Sequence, residues 1–151
     1  ADVVAEGFGS VSAPGRFEVL ATQPLVVADG AHNPAGADTC AGVFFDDFHP
    51  EGRRLLLVGT LREPAEMLAA LRADEFDVVV ACTAPTPRGV PAVDVARAAR
   101  ELGCDEVHVV ESVAVACERV LELADPDDAV LVTGSLYVVG DARVVLRRHL
   151  G

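Results

Sequence analysis

The segment Leu25-Val26-Val27-Ala28-Asp29-Gly30-Ala31-His32-Asn33-Pro34 passes from an unbroken apolar run through a polar turn to a proline. Continuous rather than alternating hydrophobicity predicts a strand buried on both faces. Asn33 predicts a helix cap, and Pro34 suits the first helical turn, where its missing N–H is no loss. The helix that follows is read from Ala37, Ala41, Phe44, Phe45 and Phe48, which recur at helical spacing and share one face. Strand, polar turn and capped helix together are half of the unit from which a helix-covered parallel sheet is built.

The same alternation continues to the end of the chain. Leu55–Val58, Val78–Cys82, Val107–Val110 and Ala129–Val132 predict four further buried strands. Helical stripes lie between them: Met67, Leu68 and Leu71; Ala92, Val95, Ala96, Ala99 and Leu102; Val113, Cys117, Val120, Leu121 and Ala124. Gly103 and Asp125-Pro126-Asp127 stop two of these helices, and a terminal helix is expected from Tyr137 to Arg148. Crossovers of this length are right-handed, so the expected fold is α/β and doubly wound, Rossmann-like, with helices on both faces of a mostly parallel sheet. Before residue 24, Gly7, Gly9, Pro14 and Gly15 interrupt any long element. Phe17–Leu20 is the one short strand expected there, placed as an antiparallel edge. Residues 1–13 are read as a lead-in segment and 14–151 as one domain.

Composition bounds the partners. With 151 residues the chain can bury roughly 70% of the surface its unfolded form exposes, enough for its own core. The formal charge of −12 repels phosphate backbones and anionic membrane surfaces, so neither nucleic acid nor membrane is an expected partner. No apolar run reaches the ~18 residues of a membrane span, and residues 1–9 carry no signal-peptide pattern. A soluble, cytoplasmic protein is expected. Cys40, Cys82, Cys104 and Cys117 lie far apart in apolar stretches, without metal-site or disulfide-framework spacing, and are read as small buried hydrophobes.

Ligands of open α/β sheets collect beyond the carboxyl ends of the strands. That rule selects three loops. Asp29–Pro34 leads into a helix whose unpaired N–H groups and positive dipole end face the turn; a capped turn with a solvated Asp and His is the plainer reading. Gly59-Thr60-Leu61-Arg62-Glu63-Pro64 offers Arg62 as an anion contact or simply an exposed arginine, with a helix expected to start at Pro64. Thr133-Gly134-Ser135 offers Ser135 as a ligand contact or a plain helix cap. The chain contains no GxxxxGK[ST] phosphate loop, no GxSxG elbow and no lysine, and its four histidines share no metal-binding spacing. No catalytic or metal-ligating residue is therefore assigned.

Pro14-Gly15-Arg16-Phe17-Glu18-Val19, then Val27–Pro34, then Thr133-Gly134-Ser135-Leu136-Tyr137 resemble, in this order, the carboxy-terminal domain of the folylpolyglutamate and dihydrofolate synthases of the Mur ligase superfamily. The resemblance implies an ATP-dependent ligase in which a separate P-loop domain holds ATP and Mg2+ and this domain closes over it. Such enzymes convert a folate or dihydropteroate carboxylate to an acyl phosphate, which the amine of glutamate attacks. By the same resemblance Arg16 would neutralise nucleotide phosphate, Asp29 would accept ribose hydroxyls, and His32 and Ser135 would lie towards glutamate. Gly59–Pro64 departs from the family's lysine-containing loop, GALKDKD, and leaves Arg62 as the cation there. The isolated chain is expected to be inactive. A free-standing ligand-binding module and a ligase for another amino acid are the alternatives.

Overall fold

The structure, a computed structural model, describes residues 17–150. The lead-in segment and the Pro14-Gly15-Arg16 motif therefore lie outside the described residues. Six strands form one sheet: β1 (Glu18–Thr22), β2 (Leu25–Asp29), β3 (Arg54–Val58), β4 (Val78–Ala81), β5 (Val107–Val109) and β6 (Ala129–Thr133). Five α-helices accompany them: α1 (Pro34–Asp47), α2 (Pro64–Ala70), α3 (Ala92–Leu102), α4 (Val113–Leu123) and α5 (Leu136–Leu150), with a 3₁₀ turn at Ala73–Glu75.

The strand order is β1-β2-β6-β3-β4-β5. All neighbours are parallel except β1 and β2, so the antiparallel edge expected from the sequence is present. The last strand in sequence enters the middle of the sheet, pairing with both β2 and β3. Edge strand β1 begins one residue later than the sequence predicts and continues to Thr22. Phe17 has φ of +41°, a left-handed backbone that cannot continue a strand, and its buried ring instead stacks on Phe48, 5.4 Å away.

Successive strand residues enter opposite layers, as a period of two requires. Val27, Leu56, Val79 and Leu131 pack with α1, α2 and α3 through Phe44, Met67, Leu68 and Val95. Their neighbours Val26, Leu55, Val80 and Val130 pack with α4 and α5 through Cys117, Val120, Val138 and Leu146. Burial on both sides explains why these strands read as continuous apolar runs. Among the described residues no helix is long and apolar enough to cross a membrane.

Candidate functional site

Three βα loops surround a cleft of about 370 Å³ at the carboxyl ends of β2, β3 and β4, lined by His32, Asn33, Leu61, Arg62 and Arg88. The first loop follows β2. Asn33 caps α1, its Oδ1 accepting the Gly36 N–H at 2.8 Å, as the sequence predicts. His32 is exposed, with Nδ1 3.2 Å from the Gly30 carbonyl oxygen, and a ring that donates from Nδ1 presents Nε2 outwards as an acceptor.

Asp29 sits at the root of this loop and organises backbone on both sides. Its Oδ1 accepts the Ala31 N–H at 2.8 Å and its Oδ2 accepts the Phe17 N–H at 3.0 Å. The carboxylate thereby joins the chain entering β1 to the turn leaving β2.

The second loop follows β3. Helix α2 starts at Pro64 as predicted, and the Glu63 carboxylate folds back to accept the Ala65 N–H at 3.4 Å. Thr60, fully buried, donates from Oγ1 to the Arg62 carbonyl at 3.1 Å. Arg62 itself is exposed at the cleft.

The loop after β6 runs between the other two because β6 lies between β2 and β3. Gly134 has φ of +117°, and a Cβ there would fall 2.0 Å from the Gly59 carbonyl oxygen, so only glycine lets the two loops touch. Ser135 is fully buried and its Oγ accepts the Val138 N–H at 3.1 Å, capping α5. This arrangement brings His32 and Arg62 to one cleft, whereas Ser135 is not among the residues lining it and serves as the cap of α5.

Sequence reasoning passed over Arg88. It lies after β4 in Ala84-Pro85-Thr86-Pro87-Arg88-Gly89-Val90, and the rule that selected the other loops applies equally here. The turn residues of this stretch read as a connector, and only the fold shows Arg88 opposite His32 and Arg62. Among the described residues neither Arg62 nor Arg88 has a side-chain hydrogen bond or ion pair. Arg53, Arg97, Arg119 and Arg143 hold carboxylates, while Arg54 and Arg100 bond to carbonyl oxygens.

A second cleft of about 300 Å³ lies at the opposite end, lined by Leu25, Asp47, His49, Asp127 and others. It is at the amino ends of the parallel strands and is bordered by acids. Among the described residues no group of three or more His, Cys, Asp or Glu side chains could hold a metal ion.

Residues 15–136 match the family model described as Mur ligase, glutamate ligase domain. The chain is 39% identical to the probable bifunctional folylpolyglutamate synthase/dihydropteroate synthase of Haloferax volcanii, over 98% of this chain and 17% of that protein. Its structure resembles that of Mycobacterium tuberculosis folylpolyglutamate synthase complexed with ADP and AMPPCP, with a TM-score of 0.80 and 34% identity, covering 96% of this chain and 35% of that one. A bifunctional folylpolyglutamate synthase/dihydrofolate synthase with Mn, AMPPNP and L-glutamate bound matches with a TM-score of 0.77 and 30% identity, over 93% of this chain and 33% of that one. The chain thus spans about a third or less of the length of these relatives.

Proposed function

Because the chain belongs to the Mur ligase family, as its glutamate ligase domain, we propose that it is the carboxy-terminal part of an ATP-dependent ligase that joins glutamate to folate or dihydropteroate. What supports this most is that the cleft with two unpartnered arginines falls inside the span matched by that family, at the sheet end where α/β proteins bind ligands. In the proposed reaction a P-loop domain of the same enzyme supplies ATP and Mg2+. The γ-phosphoryl group passes to the pteridine substrate's carboxylate, releasing ADP, and the glutamate amine then displaces phosphate to form the amide.

This domain binds and orients in that scheme. Arg16 neutralises phosphate charge once the domains close, and Asp29, held by the Phe17 and Ala31 amides, accepts ribose hydroxyls. Arg62 takes a glutamate carboxylate and His32 lies beside it, while Ser135 shapes the floor by fixing the start of α5. If the site is completed only by closure over a P-loop domain, the chain alone is expected to have no turnover.

The test compares the chain alone with the chain joined to a P-loop partner domain, following ADP release with folate or dihydropteroate and a panel of amino acids. Glutamate-dependent release by the joined protein, and none by the chain alone, is expected. Turnover by the chain alone overturns the division of labour. Release with another amino acid but not glutamate favours the alternative ligase.

A further inference from the structure

We propose that Arg88 is the second cation of a dicarboxylate subsite: the cleft selects an amino acid with two carboxylates by pairing one with Arg62 and the other with Arg88. This rests on the ligase reading and deepens it by assigning acceptor specificity to a residue outside the three loops already singled out.

The first argument is electrostatic. The chain carries 24 acidic residues against 12 arginines, and among the described residues four arginines hold carboxylates, Arg54 and Arg100 bond to carbonyl oxygens and Arg72 lies over the Phe45 ring, so few are left without a partner. Arg62 and Arg88 meet none among the described residues, and both line the same cleft. Arg147 and Arg148 also lack partners, but they occupy the last turn of α5, where the helix dipole favours cations. No acid lines the cleft, and the nearest in sequence, Glu63, is turned towards Ala65 as a helix cap.

The second argument is the construction of the loop that carries Arg88. A Cβ on Gly89 would lie 2.2 Å from the Ala84 carbonyl oxygen, so the loop closes tightly on itself just after the arginine. Thr86 N–H donates to Ala84 and Gly89 N–H to Thr86, at 2.8 and 2.9 Å. Val90 N–H donates to the Thr60 carbonyl at 2.9 Å, and Thr83 Oγ1 accepts the Ala92 N–H at 2.9 Å. The backbone beneath Arg88 is therefore fixed against the same threonine that braces Arg62. Two arginines carried on backbone tied together through Thr60 line one cleft, and each guanidinium can take a carboxylate as a bidentate partner. Glutamine, which keeps one carboxylate and loses the other, then pairs with only one of them.

The experiment titrates the 151-residue chain with L-glutamate, L-glutamine and inorganic phosphate, following the amide NMR signals of His32, Arg62 and Arg88. Glutamate is expected to bind about tenfold or more tightly than glutamine, the value of one charge-assisted pairing. Arg88→Gln should abolish that preference with the rest of the spectrum unchanged, Arg88→Lys should restore part of it, and Arg147→Gln should leave it intact. Equal binding of the two amino acids, an unaltered preference in Arg88→Gln, no response to glutamate, or a stronger response to phosphate would each overturn the proposal. In the joined ligase, Arg88→Gln should raise the KM for glutamate about tenfold with kcat nearly unchanged. A joined protein with no ligation at all, beside intact glutamate preference in the chain, defeats the ligase reading and leaves the subsite standing.

Discussion

The carbonyl oxygen of Thr60 accepts the Val90 N–H at 2.9 Å, tying the loop that carries Arg62 to the loop that carries Arg88. The Thr60 hydroxyl, fully buried, meanwhile holds the Arg62 carbonyl. Thr60→Val keeps the shape and removes the hydroxyl bond. A loss of about 1–2 kcal/mol in stability is expected by denaturant unfolding, together with faster amide exchange around Arg62. Unchanged exchange would show that the hydroxyl does not set the loop.

Gly134→Ala should be among the most damaging small substitutions in the domain. The new methyl would fall 2.0 Å from the Gly59 oxygen at a residue whose φ is +117°. Backbone strain costs about 1–3 kcal/mol and the displaced loop adds to it, so a loss of roughly 4 kcal/mol is expected in chemical denaturation. Gly140→Ala, where a Cβ meets nothing within 4 Å, should be tolerated.

Asp29→Ala should act on both stability and nucleotide use. It removes the acceptor for the Phe17 and Ala31 amides, and the chain alone should lose about 2–3 kcal/mol, read from its unfolding midpoint. Asp29→Asn retains one acceptor oxygen and should lose less. In the joined ligase both variants should raise the KM for ATP by about tenfold or more if Asp29 serves the ribose. Stability loss without a change in ATP kinetics would leave Asp29 purely structural.

Asp128 predicts the acid behaviour of the domain. Burial by itself raises its carboxyl, but the Asp125 and Arg53 amides and the Arg53 guanidinium outweigh it, leaving the group below its ordinary value. A depressed folded value contributes stability that is present above the unfolded value, near 4, and lost as pH falls through the folded one. Asp128→Asn should therefore cost about 2 kcal/mol at neutral pH, with the difference from the parent shrinking below about pH 4. A difference that does not vary with pH would exclude the charge as its source.

The four thiols are all buried and unpaired, as the sequence predicts. Burial pushes the Cys82 and Cys117 thiols up to about 12 and raises Cys40 and Cys104 as well. A thiol so raised has almost no thiolate at neutral pH, and the thiolate is the nucleophile. Labelling with a disulfide reagent at pH 7.5 should be slow for all four and become complete in denaturant. Rapid labelling of the folded chain would show that a helix layer opens.

Strands and helices were legible in the sequence because each is set by local rules. Runs such as Leu55–Val58 and Ala129–Val132 are apolar throughout because both faces are covered, and Asn33-Pro34 and Pro64 mark helix starts through the backbone donors they cap or lack. The same local rules identified the loops bearing Asp29, His32 and Arg62, since a strand followed directly by a capped helix puts its turn at the ligand-binding end. Strand order was not legible. That β6 inserts between β2 and β3, so that Gly134 presses on Gly59 and Ser135 is buried at the start of α5, depends on pairing across more than seventy residues. Nothing in the sequence near either residue encodes that pairing. Arg88 belongs to the same class. Its proline- and glycine-rich surroundings read as a turn, and it becomes part of a cleft only because β4 lies beside β3 and Val90 bonds across to Thr60. The local physics of the chain determined which elements form and where their turns fall; tertiary packing alone decided which loops meet, because long-range strand pairing brings them to one cleft.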